Sequence, residues 1–407
     1  MCIVKYLSLL VLAVFLGMAL YAQPADNMDA IRKNAAGWVK TYGPPETYKP
    51  ASYDNRTITP GQMGLAHLFL NWMQASYSPR YAIGDLKKFA NEKLTEYNQF
   101  KRAEVQSYGA YARSYIMLKQ NSDGKIVPAS NDNWDWTIAA NQTIGRRIDL
   151  LTMPDQYFFY LHYYIDSGIA HHPHEKGDWA HMELYNFQDH PNIKQYTHFY
   201  IPKDPGSVSL RYVVLLTPDN RIPFTPVTIG EFLRKTEERL PIWYATEKAT
   251  INERYSNEPN RIALESKNLE EKYVRAKTNL KRLKDKYGSR AADIAMVADN
   301  SIDMSVLTTS TSEYNDDWDI FKKRGVHSYP VYYYDAATTA RCKTDKPQWI
   351  VVSWDAEGAI NNDPTGLHMH QSILDNFNFD YLYKYVFAPE KVKGISYKPL
   401  HNPVGKQ

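Results

Sequence analysis

Cysteine is nearly missing from this 407-residue chain, which holds only Cys2 and Cys342. That excludes a small scaffold stapled by disulfides. Cys342 follows Arg341 but has no histidine near it in sequence, so it reads as a free buried thiol rather than a nucleophile. An excess of one charge is also lacking: 48 basic residues face 45 acidic ones, for a formal net charge of +3. No global field then selects nucleic acid or an anionic surface, and no nucleic-acid partner is expected. There is no GxSxG elbow, no P-loop and no dinucleotide-binding glycine fingerprint, which removes the commonest sequence-readable enzyme classes. The longest apolar run, Leu7–Leu20, covers about 14 residues against the roughly 20 that span a bilayer. No integral membrane domain is expected beyond it.

What that run does resemble is the core of a secretory signal. Lys5 supplies the positive start, and cleavage after Ala22 leaves Gln23 first, although Leu20 is large for its place in a small-x-small site. Residues 1–22 are therefore read as a signal peptide and the protein as periplasmic or extracellular, in a bacterium. The remaining length is enough for two domains with large cores. The anomaly of the full chain is aromatic: 32 tyrosines and 9 tryptophans, rings that fill cores or line clefts for sugars and peptides.

Local signals are clearest at 207–240. The run VSLRYVVLLT reads as a strand, stopped by Pro218-Asp219-Asn220. Thr228 with Glu231 predicts a capping box, and Val227 with Phe232 a hydrophobic staple, so a helix starts there. Beyond a turn at Asn257–Asn260, Leu269, Tyr273, Ala276, Leu280, Leu283 and Tyr287 alternate four and three apart, with charge on most other positions. These segments predict a long charged helical hairpin at about 228–287. Helices are also predicted over 26–40, from Pro60 to Gln74, across much of 81–119 and over 366–387. Strands are predicted within Asp155–Ile165 (DQYFFYLHYYI), Tyr196–Ile201, Val331–Tyr334 and Trp349–Trp354. The fold expected is α+β: a mainly helical region at 23–150, then an α+β domain at 151–407 whose sheet is mixed or mainly antiparallel, with several packed helices and the hairpin.

Three clusters are candidates for chemistry. Trp134 and Trp136, beside Asp132 and Asp135 in a predicted loop, have the makings of a sugar platform: flat rings for pyranose faces and carboxylates for hydroxyls. The same rings could instead fill a seam. His172, His174 and His181, with Asp178 and Glu183 near, carry donors for zinc or another divalent transition metal, though Pro173 restricts the turn and no HExxH spacing is present. Asp363, His368, His370 and Asp375 form a second donor set; joined to the first, it would let a metal activate water with Glu175 or Asp363 as proton acceptor. No nucleophile relay is established by Ser353-Trp354-Asp355, because adjacency in sequence does not make one.

Around LLTPDNRIPFTPVTIGEFL and SILDNFNFDYLYKYVF the chain resembles large exported proteins of uncharacterised function from Bacteroidota-type bacteria. That resemblance implies export and an α+β scaffold, and assigns no catalytic residue. The expectation is an exported scaffold or binding protein recognising a glycan or cell-envelope component. The alternatives are a metal-assisted secreted hydrolase and a structural module associating through the hairpin; oligomeric state is not fixed by any of these.

Overall fold

A computed structural model describes residues 25–42, 58–90, 105–151, 158–161, 190–202, 210–218, 220–297, 303–309, 320–321, 329–356 and 362–401. The expected signal at 1–22 lies outside these. In chain order the elements begin with α1 (Ala25–Asn34), β1 (Trp38–Tyr42), α2 (Pro60–Ser76), β2 (Ile83–Ala90) and β3 (Tyr108–Tyr115). A short ribbon β4 (Leu118–Gln120) and β5 (Ile126–Pro128) precedes β6 (Asn133–Ala140), β7 (Arg146–Arg147) and β8 (Phe158–Tyr160). Then come β9 (Thr197–Pro202), β10 (Leu210–Leu216), β11 (Thr225–Pro226), α3 (Ile229–Arg254) and α4 (Pro259–Tyr287). The chain closes with β12 (Met296–Val297), α5 (Ser305–Thr308), β13 (Tyr329–Tyr333), α6 (Ala336–Arg341), β14 (Ile350–Asp355), α7 (Pro364–Asn376) and α8 (Phe379–Phe387).

The fold is α+β. A seven-stranded sheet runs β1-β2-β3-β6-β14-β10-β9, parallel only between β1 and β2. A smaller sheet runs β11-β13-β8-β7, with β12 also on β13. Four layers result. Helices α2, α7 and α8 cover one face of the large sheet through a core containing Phe69, Met73, Trp136, Tyr212, Trp354, Ile373 and Phe377. On the other face Val213, Leu215, Trp349 and Val351 meet Phe159, Leu161 and Phe224 of the smaller sheet. The far side of that sheet packs on α3 and α4 through Phe158, Tyr160, Phe232, Leu280 and Leu283. Strand β8 joins the two inner cores by simple alternation, Phe158 and Tyr160 one way and Phe159 the other, all three fully buried. The aromatic density of DQYFFYLHYYI is thus explained, over its described residues, by burial on both faces.

Helix α3 begins where its sequence signals place it. Thr228 Oγ1 accepts from the Glu231 amide at 3.2 Å, and Val227 and Phe232 are both buried. It runs on through Pro241 to Arg254. Four residues intervene before α4, and the two helices lie side by side in opposite directions, Tyr244 ring to Tyr273 ring at 4.6 Å and Lys284 Nζ to Glu237 at 2.5 Å. Leu269, Ala276, Leu280, Leu283 and Tyr287 are buried within this chain.

The expected mainly helical region at 23–150 is corrected. Its described part holds two α-helices and seven strands, and β1, β2, β3 and β6 complete one sheet with β14, β10 and β9, so residue 150 divides no layer. The helix read across 81–119 gives way to β2 and β3, paired over eight residues. Leu86 and Phe89, which seemed to share a helical face, project to opposite sides of β2. Spacing of three admits either period, and cross-strand pairing decides it. Likewise the helix at 366–387 breaks at Phe377, whose ring is fully buried, and Asn378 Oδ1 caps α8 by accepting from Tyr381 N at 2.9 Å.

Asp363 ties these layers together. Its Oδ1 accepts from the Thr365 and Gly366 amides at 3.0 Å, capping α7, and from Trp134 Nε1 at 2.9 Å. Its Oδ2 accepts from Arg32 Nη2 at 2.7 Å, bringing α1 to the same carboxylate. An ordinary cap contributes about 1 kcal/mol and loss of a buried partner leaves the remaining charge uncompensated. Urea unfolding should therefore show Asp363→Ala losing about 2–4 kcal/mol, against about 1 kcal/mol for Thr228→Ala. Equal losses at the two caps would contradict the tie.

Candidate functional site

Strand register brings together residues scattered between positions 85 and 355. Asp85 on β2 lies opposite Arg113 on β3, Arg113 opposite Asp135 on β6, and Asp355 on β14 opposite Arg211 on β10. Trp136 pairs with Trp354, which sets Asp135 beside Asp355. Five charged side chains thus form one row across five strands, on the face turned from α2, α7 and α8. The next row of that face, two residues along each strand, carries Lys87, Tyr111, Thr137 and Ser353. Phe89 follows Lys87 on β2, its ring 6.1 Å from that of Tyr111. Apolar clusters bound this strip on both sides, Val213 and Val351 at one end and Ile83, Tyr115, Leu118 and Ile31 at the other.

The charges are largely matched within the row. Arg113 donates to both oxygens of Asp85, from Nε at 2.9 Å and Nη2 at 2.5 Å, a fork geometry that holds both groups in place. Its guanidinium lies 5.3 Å from the Tyr111 ring and 5.3 Å from the Tyr115 ring, one on each side. The hydrogen bonds to Asp85 raise the Arg113 pKa above its already high value. Burial first, and Asp85 second, push the Tyr115 phenol up to about 12. Further along, Arg211 Nη2 pairs with Asp135, Arg211 Nε lies 3.9 Å from Asp355 Oδ1, and Asp355 Oδ2 accepts from the Asp135 amide at 2.9 Å.

Accessibility is uneven across the strip, and Asp85 is buried although it shares a strand with Lys87. Lys87 is exposed, Phe89, Tyr111 and Arg113 are half-buried, and Thr137, Ser353 and Asp355 are buried. Asp135 and Arg211 retain 24% and 18% of their side-chain surface, enough for one polar contact each from the open side. The strip spans four strand spacings, about 19 Å at roughly 4.8 Å each. It can therefore offer an elongated ligand two aromatic rings at its mouth and donors and acceptors of both signs along its floor.

The residues singled out from sequence fall elsewhere. Trp134 and Trp136 are not a loop platform: they lie in β6 and face the helices, opposite to Asp135 between them. Trp136 is fully buried, 5.2 Å from the Phe377 ring, so it presents no surface to a ligand; the two-residue period of a strand sends both indoles inward. Trp134 packs on the same core with its N–H held by Asp363. His172, His174 and His181 lie outside the described residues, as do Glu175, Asp178 and Glu183. The second donor set does not converge, because each member has its own partner. Asp363 caps α7, the His368 ring nitrogen Nε2 is 3.0 Å from Ser78 O, and Asp375 is 3.2 Å from His190 Nε2. His370 is in the core, its Nδ1 accepting from Trp354 Nε1 at 3.0 Å. Among the described residues, no group of three or more His, Cys, Asp or Glu could hold a metal ion. Cys342 is buried, and burial pushes its thiol up to about 12, as an inert core thiol requires.

The strip leaves only a partial trace in sequence: the triplets GDL, ARS, WDW, LRY and WDA each centre on one charged residue. What sequence lacks is the register that aligns them. No family model, curated protein or solved structure matches the chain. Nor is any helix among the described residues long and apolar enough to cross a membrane.

His370 carries a pH dependence that can be worked out. Burial, and then His190, depress its pKa to about 4, and protonating Nδ1 would set a proton against the indole N–H it now accepts. The folded pKa lies below the unfolded value of about 6.5, so the unfolded state takes up the proton first. Stability is complete above about pH 6.5 and falls as pH drops toward 4, by about 3 kcal/mol in total. Urea midpoints between pH 7 and 4.5 should fall more steeply in the wild type than in His370→Gln. Parallel falls would assign the acid sensitivity to other groups.

Proposed function

We propose that this protein is an exported binding protein that recognises a glycan or another hydroxyl-rich component of the cell envelope along the charged strip of its large sheet. One observation carries the reading: the half-buried rings of Phe89 and Tyr111 lie beside a row of Asp and Arg side chains. Flat rings offer apolar contact to a pyranose face, while carboxylate and guanidinium groups take the hydroxyls that border it. The mutual pairing of the charges keeps them oriented before a ligand arrives, so less ordering is lost on binding. Export rests on the apolar run at Leu7–Leu20 after Lys5.

Tyr111 and Phe89, on the face opposite Trp134 and Trp136, supply the flat rings. Association through the long helices is less favoured, since the seam residues of α4 are covered by α3 and its neighbours in the same chain.

The test is calorimetric titration of linear oligosaccharides, neutral and uronate-bearing, chosen from hits on an immobilised glycan panel. Tyr111→Ala and Lys87→Ala, both at the accessible end, should each weaken binding about tenfold, or about 1.4 kcal/mol. Trp134→Ala should lower stability and leave affinity unchanged. A wild-type protein that binds no glycan on the panel, or variants that bind as well as it does, would refute the assignment.

A further inference from the structure

One row of the strip is short of partners. Its members Tyr111 on β3, Thr137 on β6, Ser353 on β14 and Val213 on β10 lie opposite one another in strand register. Burial deepens along this row. Tyr111 is half-buried, Thr137 and Ser353 keep 8% and 4% of their surface, and Val213 is fully covered. The two-residue period of β6 and β14 fixes the direction of the two hydroxyls. Trp136 and Ile138 flank Thr137, Val352 and Trp354 flank Ser353, and all four enter the core beneath the helices. Thr137 and Ser353 therefore turn into the strip.

Neither hydroxyl is used by the fold. Among the described residues neither makes a hydrogen bond, not even to the other, and neither oxygen is sealed off from solvent. Side chains directly opposite on antiparallel strands have Cβ atoms about 5 Å apart, a gap that Thr–Ser pairs can close with a hydrogen bond. Here they leave it open. Ala139 and Val351, the next residues of the same face on β6 and β14, are buried and apolar, as is Val213 beyond Ser353, so none of them can pair with a hydroxyl. Polar groups this deeply covered ordinarily have a partner. These two stand where a single oxygen from the open side can bridge them.

We infer that Thr137 and Ser353 form a specificity subsite within the strip and hold one hydroxyl of the bound glycan between them. A sugar hydroxyl both donates and accepts, as each of these side chains does, so its oxygen accepts from one of the pair and donates to the other. A hydrogen atom in place of that hydroxyl would leave both side chains stripped of water and unpaired, which is how a pair of this kind discriminates. Tyr111, directly opposite Thr137, sets its ring beside the same sugar. The subsite rests on the glycan-binding reading of the strip, and it names the group of the sugar that is read and the two residues that read it.

The probes are the tightest-binding oligosaccharide of the glycan panel and its monodeoxy analogues, titrated by calorimetry into the full chain. One analogue should bind the wild type about tenfold more weakly than the parent sugar does. Thr137→Val and Ser353→Ala should each weaken the parent about tenfold and leave the affinity for that analogue unchanged. Because both hydroxyls are unpaired in the free protein, neither variant should lower the melting temperature. A lowered melting temperature with full affinity for the parent would assign the hydroxyls to the fold and overturn the inference. Equal losses for the parent and every analogue would also overturn it, since no single hydroxyl would then be read. Both variants binding the parent as the wild type does, while Tyr111→Ala still weakens it, would remove the subsite and leave the strip. A chain that binds no glycan would remove the strip, and the subsite with it.

Discussion

Trp136, Trp354 and Tyr212 stand side by side on three neighbouring strands, with Ala112 and Leu86 completing their row, and one position away on the same strands stand Asp135, Asp355, Arg211, Arg113 and Asp85. Since successive side chains alternate in a strand, a single register commits the first row to the core beneath α2, α7 and α8 and the second to the opposite face. A slip of one residue would put charges under the helices and indoles into the polar strip. Burying an uncompensated charge costs several kcal/mol, so the penalty for one wrong register exceeds what most local preferences could repay. The two rows therefore specify each other.

From that register the remaining architecture follows outward. The apolar half of the second face needs a cover, and the smaller sheet supplies it with Phe159, Leu161 and Phe224. That sheet then exposes Phe158 and Tyr160 on its far side, and α3 with α4 closes over them. On the helical side, α7 is aimed by Asp363, whose carboxylate gathers the first turn of its own helix, an indole from β6 and a guanidinium from α1. The candidate site occupies a place where covering stops, the polar strip between two apolar clusters of one face.

Much of the fold was legible in the residues themselves. The α3 start announced itself through Thr228 and Val227, β10 and β14 through their β-branched runs, and the seam of α4 through its alternating four-and-three spacing. These are local signals, with consequences confined to a few turns. The misreadings share one cause. Spacings of three at Leu86 and Phe89 fit a helix or a strand, and only pairing with β3 made a strand of them. The run WDW looked like a loop platform because its rings were read as neighbours, whereas in β6 they face the core together and leave Asp135 alone on the far side. The strip itself was illegible for a stronger reason: Asp85 and Asp355 are brought together only by a strand order in which β14 inserts between β6 and β10. No local pattern encodes such a crossover.

The central claim is that register, and nothing nearer in sequence, holds the charged row on one face of the sheet. A double-mutant cycle that exchanges the charges of Asp85 and Arg113 tests it most directly, with unfolding free energy as the readout. Asp85→Arg and Arg113→Asp should each lose about 3 kcal/mol or more, and the double exchange should recover at least half of the summed loss. Losses that simply add in the double variant would mean that the two side chains do not face each other, and the row would not exist.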